Sequence, residues 1–243
     1  LIPSLSFPAT VNAVIGARGT PIFCDTDING LMDIQSLDYA LSGEINAVMY
    51  ANLWGHVLDY DKMRVITDFF NDDLPVIEDA AQSFGASYKG IPSGKLGDVS
   101  CLSFDPTKNL NNYGSGGMVL TDSLEIHTEI MNLRDNGKLH NHVYAGTNSK
   151  MSESDCAQML VKFKYFEEWQ RRRTAIAEYY TDQLQEYVDV ILPGEDVESA
   201  WHKYVIRVHS RDNLQTFLAT RGIQTKIHYE VPLFEHELAF DYY

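Results

Sequence analysis

The sequence predicts an α/β protein: a mostly parallel sheet buried between helices, followed by a smaller C-terminal α/β subdomain. Two observations lead there. Short, near-continuous apolar runs alternate with segments of helical spacing, the pattern of strands covered on both faces. Two of those runs lead into a residue able to do chemistry, Asp79 and Lys108, at the carboxyl edge where open parallel sheets bind ligands.

The elements follow in order. Leu1-Ile2-Pro3-Ser4 reads as the tail of a strand with no preceding element to pair with it. With the abrupt aromatic end, Phe240 to Tyr243, it suggests a piece of a longer protein. Pro21 to Asp25 and Ala47 to Tyr50 are strand-length runs, the second followed by Trp54-Gly55. Asp61 to Phe70 spaces Met63, Ile66, Phe69 and Phe70 as a helix does. Pro75 to Ile77 and Val99 to Phe104 are two further strands. Gly116 to Thr121 is a strand behind a glycine turn, and Leu124 to Leu133 a helix.

Ser152-Glu153-Ser154-Asp155 resembles a capping box and opens a long helical region reaching Tyr187. Its stripe of Cys156, Met159, Leu160, Phe163, Phe166 and Trp169 reads as packing. Pro193-Gly194 ends the region. Tyr204 to Val208 then reads as a strand, Asp212 to Thr220 as a helix stopped by Gly222, and Ile223 to Tyr229 as a last strand. The expected division is a large domain over 1–151, a connecting helical region over 152–190 and a small, incomplete subdomain over 191–243.

The chain of 243 residues, 44% of them hydrophobic, is long enough for one large α/β domain with a small one. No apolar stretch is long enough to cross a bilayer. No basic segment or small-residue cleavage site frames the apolar start as a signal peptide. Three scattered cysteines, Cys24, Cys101 and Cys156, fit a reduced cytoplasmic setting without a disulfide framework. A net charge of -15, from 34 acidic and 19 basic residues, opposes binding of nucleic acid. A small anionic ligand would need a local basic cluster. His140 and His142 form an H-x-H without an evident third ligand, so no metal site is expected.

Lys108 lies in Ser103-Phe104-Asp105-Pro106-Thr107-Lys108-Asn109-Leu110, just past one buried run. Asp79 lies in Val76-Ile77-Glu78-Asp79-Ala80-Ala81-Gln82, at the end of another. An amine and a carboxylate so placed are what pyridoxal 5'-phosphate chemistry requires: the amine forms a Schiff base, and the carboxylate keeps the pyridine nitrogen protonated. Strand alternation sends Glu78 to the opposite face from Asp79.

These segments, with Gly97-Asp98 and Gly116-Gly117, resemble the DegT/StrS family of pyridoxal phosphate-dependent sugar aminotransferases. Pro3-Ser4-Leu5-Ser6-Phe7-x-Ala9-Thr10, Gly146-Thr147-Asn148-Ser149-Lys150-Met151 and Ile227-His228-Tyr229-x-x-Pro232-Leu233 look like further segments of that family, in its order. The resemblance implies a seven-stranded-type, mostly parallel sheet of the fold type I large domain. It implies Lys108 as the catalytic amine and Asp79 on the ring nitrogen. Gln82 would stand near the phenolic oxygen, Ser103 on the phosphate and Phe7 on the ring face. Asn148 would reach the phosphate of a neighbouring subunit, making a homodimer with shared sites. Lys150, in place of the family's arginine, would contact an anionic group, with Arg134 as a second basic candidate. His228 and Tyr229 would flank the substrate.

The implied reaction moves an amino group, from glutamate, to a keto group on a nucleotide-linked deoxysugar. A related sugar dehydratase is opposed by Lys108, because those relatives carry histidine there. Two departures stand out. Asp105 replaces an aromatic or histidine beside the phosphate loop, and the family's upstream Gly-Thr helix start has no counterpart before Leu1. The alternative is therefore a truncated, non-catalytic remnant of the same fold, or a binding or regulatory module.

Overall fold

The computed structural model describes residues 1–138 and 145–240, so His140 and His142 lie outside the described residues. Strand β1 (Ile2–Pro3) leads to helix α1 (Ala9–Gly16), then β2 (Phe23–Cys24), α2 (Ile34–Ala40), β3 (Val48–Ala51), α3 (Tyr60–Phe70) and β4 (Val76–Asp79). A short hairpin of β5 (Ser87–Tyr88) and β6 (Ile91–Pro92) precedes β7 (Val99–Ser103), β8 (Gly117–Leu120) and α4 (Leu124–Arg134). The remainder holds α5 (Glu153–Phe163), α6 (Phe166–Leu184), β9 (Asp189–Val190), β10 (Val197–Glu198), β11 (Ile206–Arg207), α7 (Arg211–Ala219) and α8 (Glu237–Phe240).

The main sheet runs β3-β4-β7-β8. Its first two pairings are parallel and the last, β7 with β8, antiparallel. Strand β1 pairs in parallel with β2, a later element of the chain, so the segment after Leu1 has a partner within the chain. Leu1 ties this pair to β3: its amino group donates to the Ala47 carbonyl at 2.7 Å, and its carbonyl accepts from Met49 N at 2.8 Å. The described residues therefore supply a row of six strands, β2-β1-β3-β4-β7-β8, with one antiparallel edge. A seven-stranded sheet was expected; the fold is α/β with mixed sheets.

Residue choice explains the layering. Val48, Val76, Leu37 and Met63 are fully buried, so β3, β4, α2 and α3 close on one apolar core. Asp33 and Asp59 start α2 and α3 by accepting from Ser36 N and Lys62 N. The other side of the sheet packs Ala80, Leu102, Phe104 and Leu110 against Met159 and Phe166, with Phe84 and Phe166 edge-on at 4.9 Å.

The single long helix expected from residue 152 is two helices, broken at Lys164 and Tyr165. The apolar stripe does not stay on one buried face, even within α5. Met159 and Phe166 are inside, whereas Leu160 and Phe163 are exposed. Ser152 caps α5 by accepting from Asp155 N, although Asp155 returns to the Ser152 hydroxyl and not to its backbone. The expected strand over Ile223 to Tyr229 does not form; that segment is irregular.

The tail folds back on the first half. Strand β10 adds to β5, and β11 pairs with β9. Ala200 N and the Ser199 hydroxyl both donate to the Gly55 carbonyl, at 2.8 and 3.0 Å. Lys203 N donates to the Trp54 carbonyl at 3.1 Å. Gly55 sits at φ 94°, and a Cβ there would meet Trp201 N at 2.6 Å, so this close approach requires glycine.

Candidate active site

Alternation along β4 separates two carboxylates with different roles. Glu78 turns inward and is fully buried, where it accepts from Asn52 Nδ2, the Ser93 and Ser100 hydroxyls, Gly94 N and Leu96 N. Those bonds pin the 93–96 loop and β7 to β4. Asp79, the next residue, emerges at the carboxyl end of the sheet. Its Oδ2 accepts from the Thr10 hydroxyl at 3.2 Å and its Oδ1 from Ala81 N at 3.1 Å.

Lys108 sits in the loop leaving β7, and its N–H bonds the Asp105 carbonyl at 2.9 Å. Burial pushes the Asp79 carboxyl up, against the Ala81 and Thr10 hydrogen bonds and the charge of Lys108. Burial pushes the Lys108 amine down, against the charges of Asp79 and Asp105. Each group feels the other's field, and burial favours the neutral form of both. A neutral amine is a nucleophile; an ammonium is not.

Around this pair, Gln82 accepts from Trp54 N at 3.2 Å and donates to the Tyr229 hydroxyl at 2.8 Å. Tyr229 stacks on Trp54 at 6.1 Å and tilts against Phe7 at 6.4 Å. Burial raises the Tyr229 phenol, and the charge of Asp79 adds to this against the Gln82 bond. His228 meets the Trp54 ring edge-on at 6.3 Å. Phe7 is 57% exposed, which leaves an aromatic surface at the site. Ser103 ends β7; its hydroxyl accepts a long 3.4 Å bond from Asp105 N, so its proton remains to donate. Asp105 is held by the Thr107 hydroxyl and N–H, which keep its carboxyl below the usual range and turn it into its own loop.

Asn148 and Lys150 stand apart, on an exposed strap. Asn148 bridges Asp135, and Lys150 Nζ pairs with the Asp135 carboxylate at 2.6 Å. The Lys150 charge is thus matched within the chain.

Several contributors carry little signal in the sequence. Trp54 occupies φ 65°, a left-handed conformation rare outside glycine, and presents its backbone to Gln82 and its ring to Tyr229. The buried pair of Asn109 and His202, at 3.0 Å, locks the residue after Lys108 to the tail. Trp54-Gly55 at a strand exit was the available signal for the first; a contact across 93 residues left none for the second. Together the groups can receive a planar ligand with an electrophilic carbon toward Lys108 and a basic ring nitrogen toward Asp79.

A family model described as the DegT/DnrJ/EryC1/StrS aminotransferase family matches residues 1–242. The chain belongs to this family. Among family relatives, the erythromycin biosynthesis sensory transduction protein EryC1 of Saccharopolyspora erythraea is 33% identical over 238 residues, 96% of this chain and 64% of that protein. The UDP-2-acetamido-2-deoxy-3-oxo-D-glucuronate aminotransferase of Pseudomonas aeruginosa is 34% identical over 96% of this chain and 66% of its own length. The crystal structure of DesV from S. venezuelae, in complex with a ketimine intermediate, superimposes with a TM-score of 0.93 at 31% identity, covering 99% of this chain and 66% of that one. The chain spans just under two thirds of the length of these family members. DegT-family aminotransferases depend in general on pyridoxal phosphate.

Proposed function

We propose that this chain carries the catalytic half-site of a pyridoxal phosphate-dependent aminotransferase whose acceptor is a nucleotide-linked keto sugar and whose donor is glutamate. The observation that carries the reading is the facing pair, Asp79 at the end of β4 and Lys108 beyond β7, each within the other's field. The named acceptors of relatives, such as that of the P. aeruginosa enzyme, support the substrate class.

The residues fit the cofactor. A half-buried amine whose pKa burial lowers, a carboxylate beside it and the exposed Phe7 ring form a set suited to a pyridine aldehyde. Once bound, the cofactor supplies an electron sink for the carbon that loses its proton. Lys108 Nζ would hold the aldehyde and afterwards carry the proton between the two reacting carbons. Asp79 would hold the proton on the ring nitrogen. The Gln82 amide, which donates to Tyr229 in this structure, is the donor available to the phenolic oxygen. The Ser103 hydroxyl would donate to the phosphate. Asn148, exposed on its strap, would complete that phosphate site in a second copy, and His228 and Tyr229 would border the sugar.

Three free thiols suit a cytoplasmic setting, and no helix among the described residues is long and apolar enough to cross a membrane. Light scattering at micromolar concentration is expected to find a dimer; a lone monomer would contradict the shared site.

The test of the reading is reconstitution. Protein given saturating pyridoxal phosphate develops a visible band, and borohydride removes it while adding pyridoxyl mass to the peptide bearing Lys108. L-Glutamate then bleaches the band in unreduced protein. A protein with no band at saturation is the non-catalytic remnant and not a transaminase.

A further inference from the structure

Three cations gather near Lys108. Arg173, Lys203 and Lys226 make no ion pair with a carboxylate among the described residues, in a chain whose net charge is -15. The charges acting on Lys203 are Lys108, Lys226 and Arg173, all positive.

The fold brings them together from separate elements. Lys203 is fixed by its backbone bond to the Trp54 carbonyl at 3.1 Å. Its neighbour His202 bonds Asn109, the residue after Lys108, at 3.0 Å. Helix α6 lies along the same segment: Gln170 donates to the Ser199 carbonyl at 2.9 Å, and Thr181 meets the Tyr204 hydroxyl at 3.1 Å. Arg173 is three residues beyond Gln170 and four before the buried Ala177, so it shares that face. Lys226 stands two residues before His228, whose ring rests on Trp54. Arg173 and Lys203 are half-buried, and burial strengthens any charge they meet. His202 is pushed down to about 3 by burial, so it positions Asn109 without adding charge.

We infer that Lys203, flanked by Arg173 and Lys226, forms the subsite that takes the carboxylate of the amino donor beside Lys108. This inference rests on the transaminase reading above. Distance selects the carboxylate. In an amino acid it is one bond from the carbon whose proton Lys108 would move, whereas a sugar nucleotide's pyrophosphate is separated from the reacting carbon by the sugar ring. Lys203, which feels the charge of Lys108 and follows the residue bonded to Asn109, is placed for the nearer anion.

The test uses the purified chain and two readouts. Calorimetry measures binding of glutarate, a dicarboxylate with no amino group to transfer. Stopped-flow absorbance follows the L-glutamate half-reaction of the pyridoxal phosphate-loaded protein. Lys203→Met is expected to weaken glutarate and raise the glutamate KM by roughly tenfold to a hundredfold, the value of one charge-assisted contact. The maximal rate should stay within about threefold, because the lost interaction is ground-state binding. Lys203→Arg restores most of the loss, and exposed Lys95→Met changes nothing. Glutarate that binds through Lys203 in a protein with no half-reaction supports the subsite and removes the transaminase reading. Glutarate affinity that is absent, or indifferent to Lys203, overturns the subsite. So does a defect confined to the sugar-nucleotide half-reaction or to pyridoxal phosphate affinity.

Discussion

Alanine at position 108 is expected to abolish amino transfer, by at least about 10⁴-fold, the upper range for a positioned proton carrier. It should also remove the borohydride-fixed pyridoxyl group. The argument rests on the amine and not on the charge. Lys108→Arg keeps a cation in the same loop but cannot present a neutral nitrogen, so it should be equally inactive. Nor is the loss one of folding. The loop is held by backbone, from Lys108 N to the Asp105 carbonyl and from Asn112 N to the Phe104 carbonyl, at 2.9 and 2.8 Å.

Burial has lowered the folded-state Lys108 pKa below its ordinary value. The cost of burying the ammonium is therefore present below that folded value and fades as pH rises through it toward the unfolded one. Lys108→Ala should melt no lower than wild type near neutrality, and any advantage should shrink toward alkaline pH. Scanning calorimetry across pH checks this. A pyridoxyl group fixed at Lys203 in the variant would move the reactive amine one segment over and sink the assignment.

Much of this was legible because it is local. The two apolar runs over 76–79 and 99–103 are short strands that alternate buried and partly buried residues, and their exits carry Asp79 and Lys108. Strand alternation alone separated Glu78 from Asp79, and the structure puts Glu78 among five donors. Where the reading departed, tertiary contacts had overridden local pattern. The stripe through 156–169 has helical spacing, yet the chain turns at 164–165, and Phe166 is buried beside Phe84 while Phe163, stacked on Phe166, stays more than half exposed. The segment over 223–229, expected as a strand, gains no edge to pair with. Its tyrosine docks on Trp54 and Gln82 instead. The cation cluster was illegible for the same reason: Arg173, Lys203 and Lys226 are adjacent only after α6 and the tail fold back onto Gly55.

The largest stability effect should come from a residue that never touches substrate. Glu78→Gln is isosteric, yet both oxygens of Glu78 are surrounded by donors. Oε1 accepts from Asn52 Nδ2 at 2.9 Å and the Ser93 hydroxyl at 2.6 Å. Oε2 accepts from Gly94 N at 2.9 Å, Leu96 N at 3.1 Å and the Ser100 hydroxyl at 2.7 Å. Whichever way the new amide turns, its NH₂ confronts at least one N–H donor that it cannot satisfy, although a serine hydroxyl on either side can turn to accept from it. Turned toward Oε1, it leaves Asn52 Nδ2 only its long 3.5 Å bond to the Ser93 hydroxyl, which can itself rotate to its 2.6 Å neighbour Ser83. Turned toward Oε2, it strands two backbone N–H groups. The milder choice still removes the carboxylate's bond to a buried N–H donor, at a cost of roughly 2–4 kcal/mol. For a chain this size that is a fall in Tm of about 5–15 °C, measured by calorimetry. Glu78→Ala should be worse, since it leaves all five donors and a cavity. Because those bonds hold the 93–96 loop and β7 against β4, the variant should also loosen the placement of Asp79. Pyridoxal phosphate affinity should fall along with stability, although Glu78 faces away from the site. A Tm within about 2 °C of wild type would mean that the N–H donors so deprived find acceptors in this pocket which the structure does not provide.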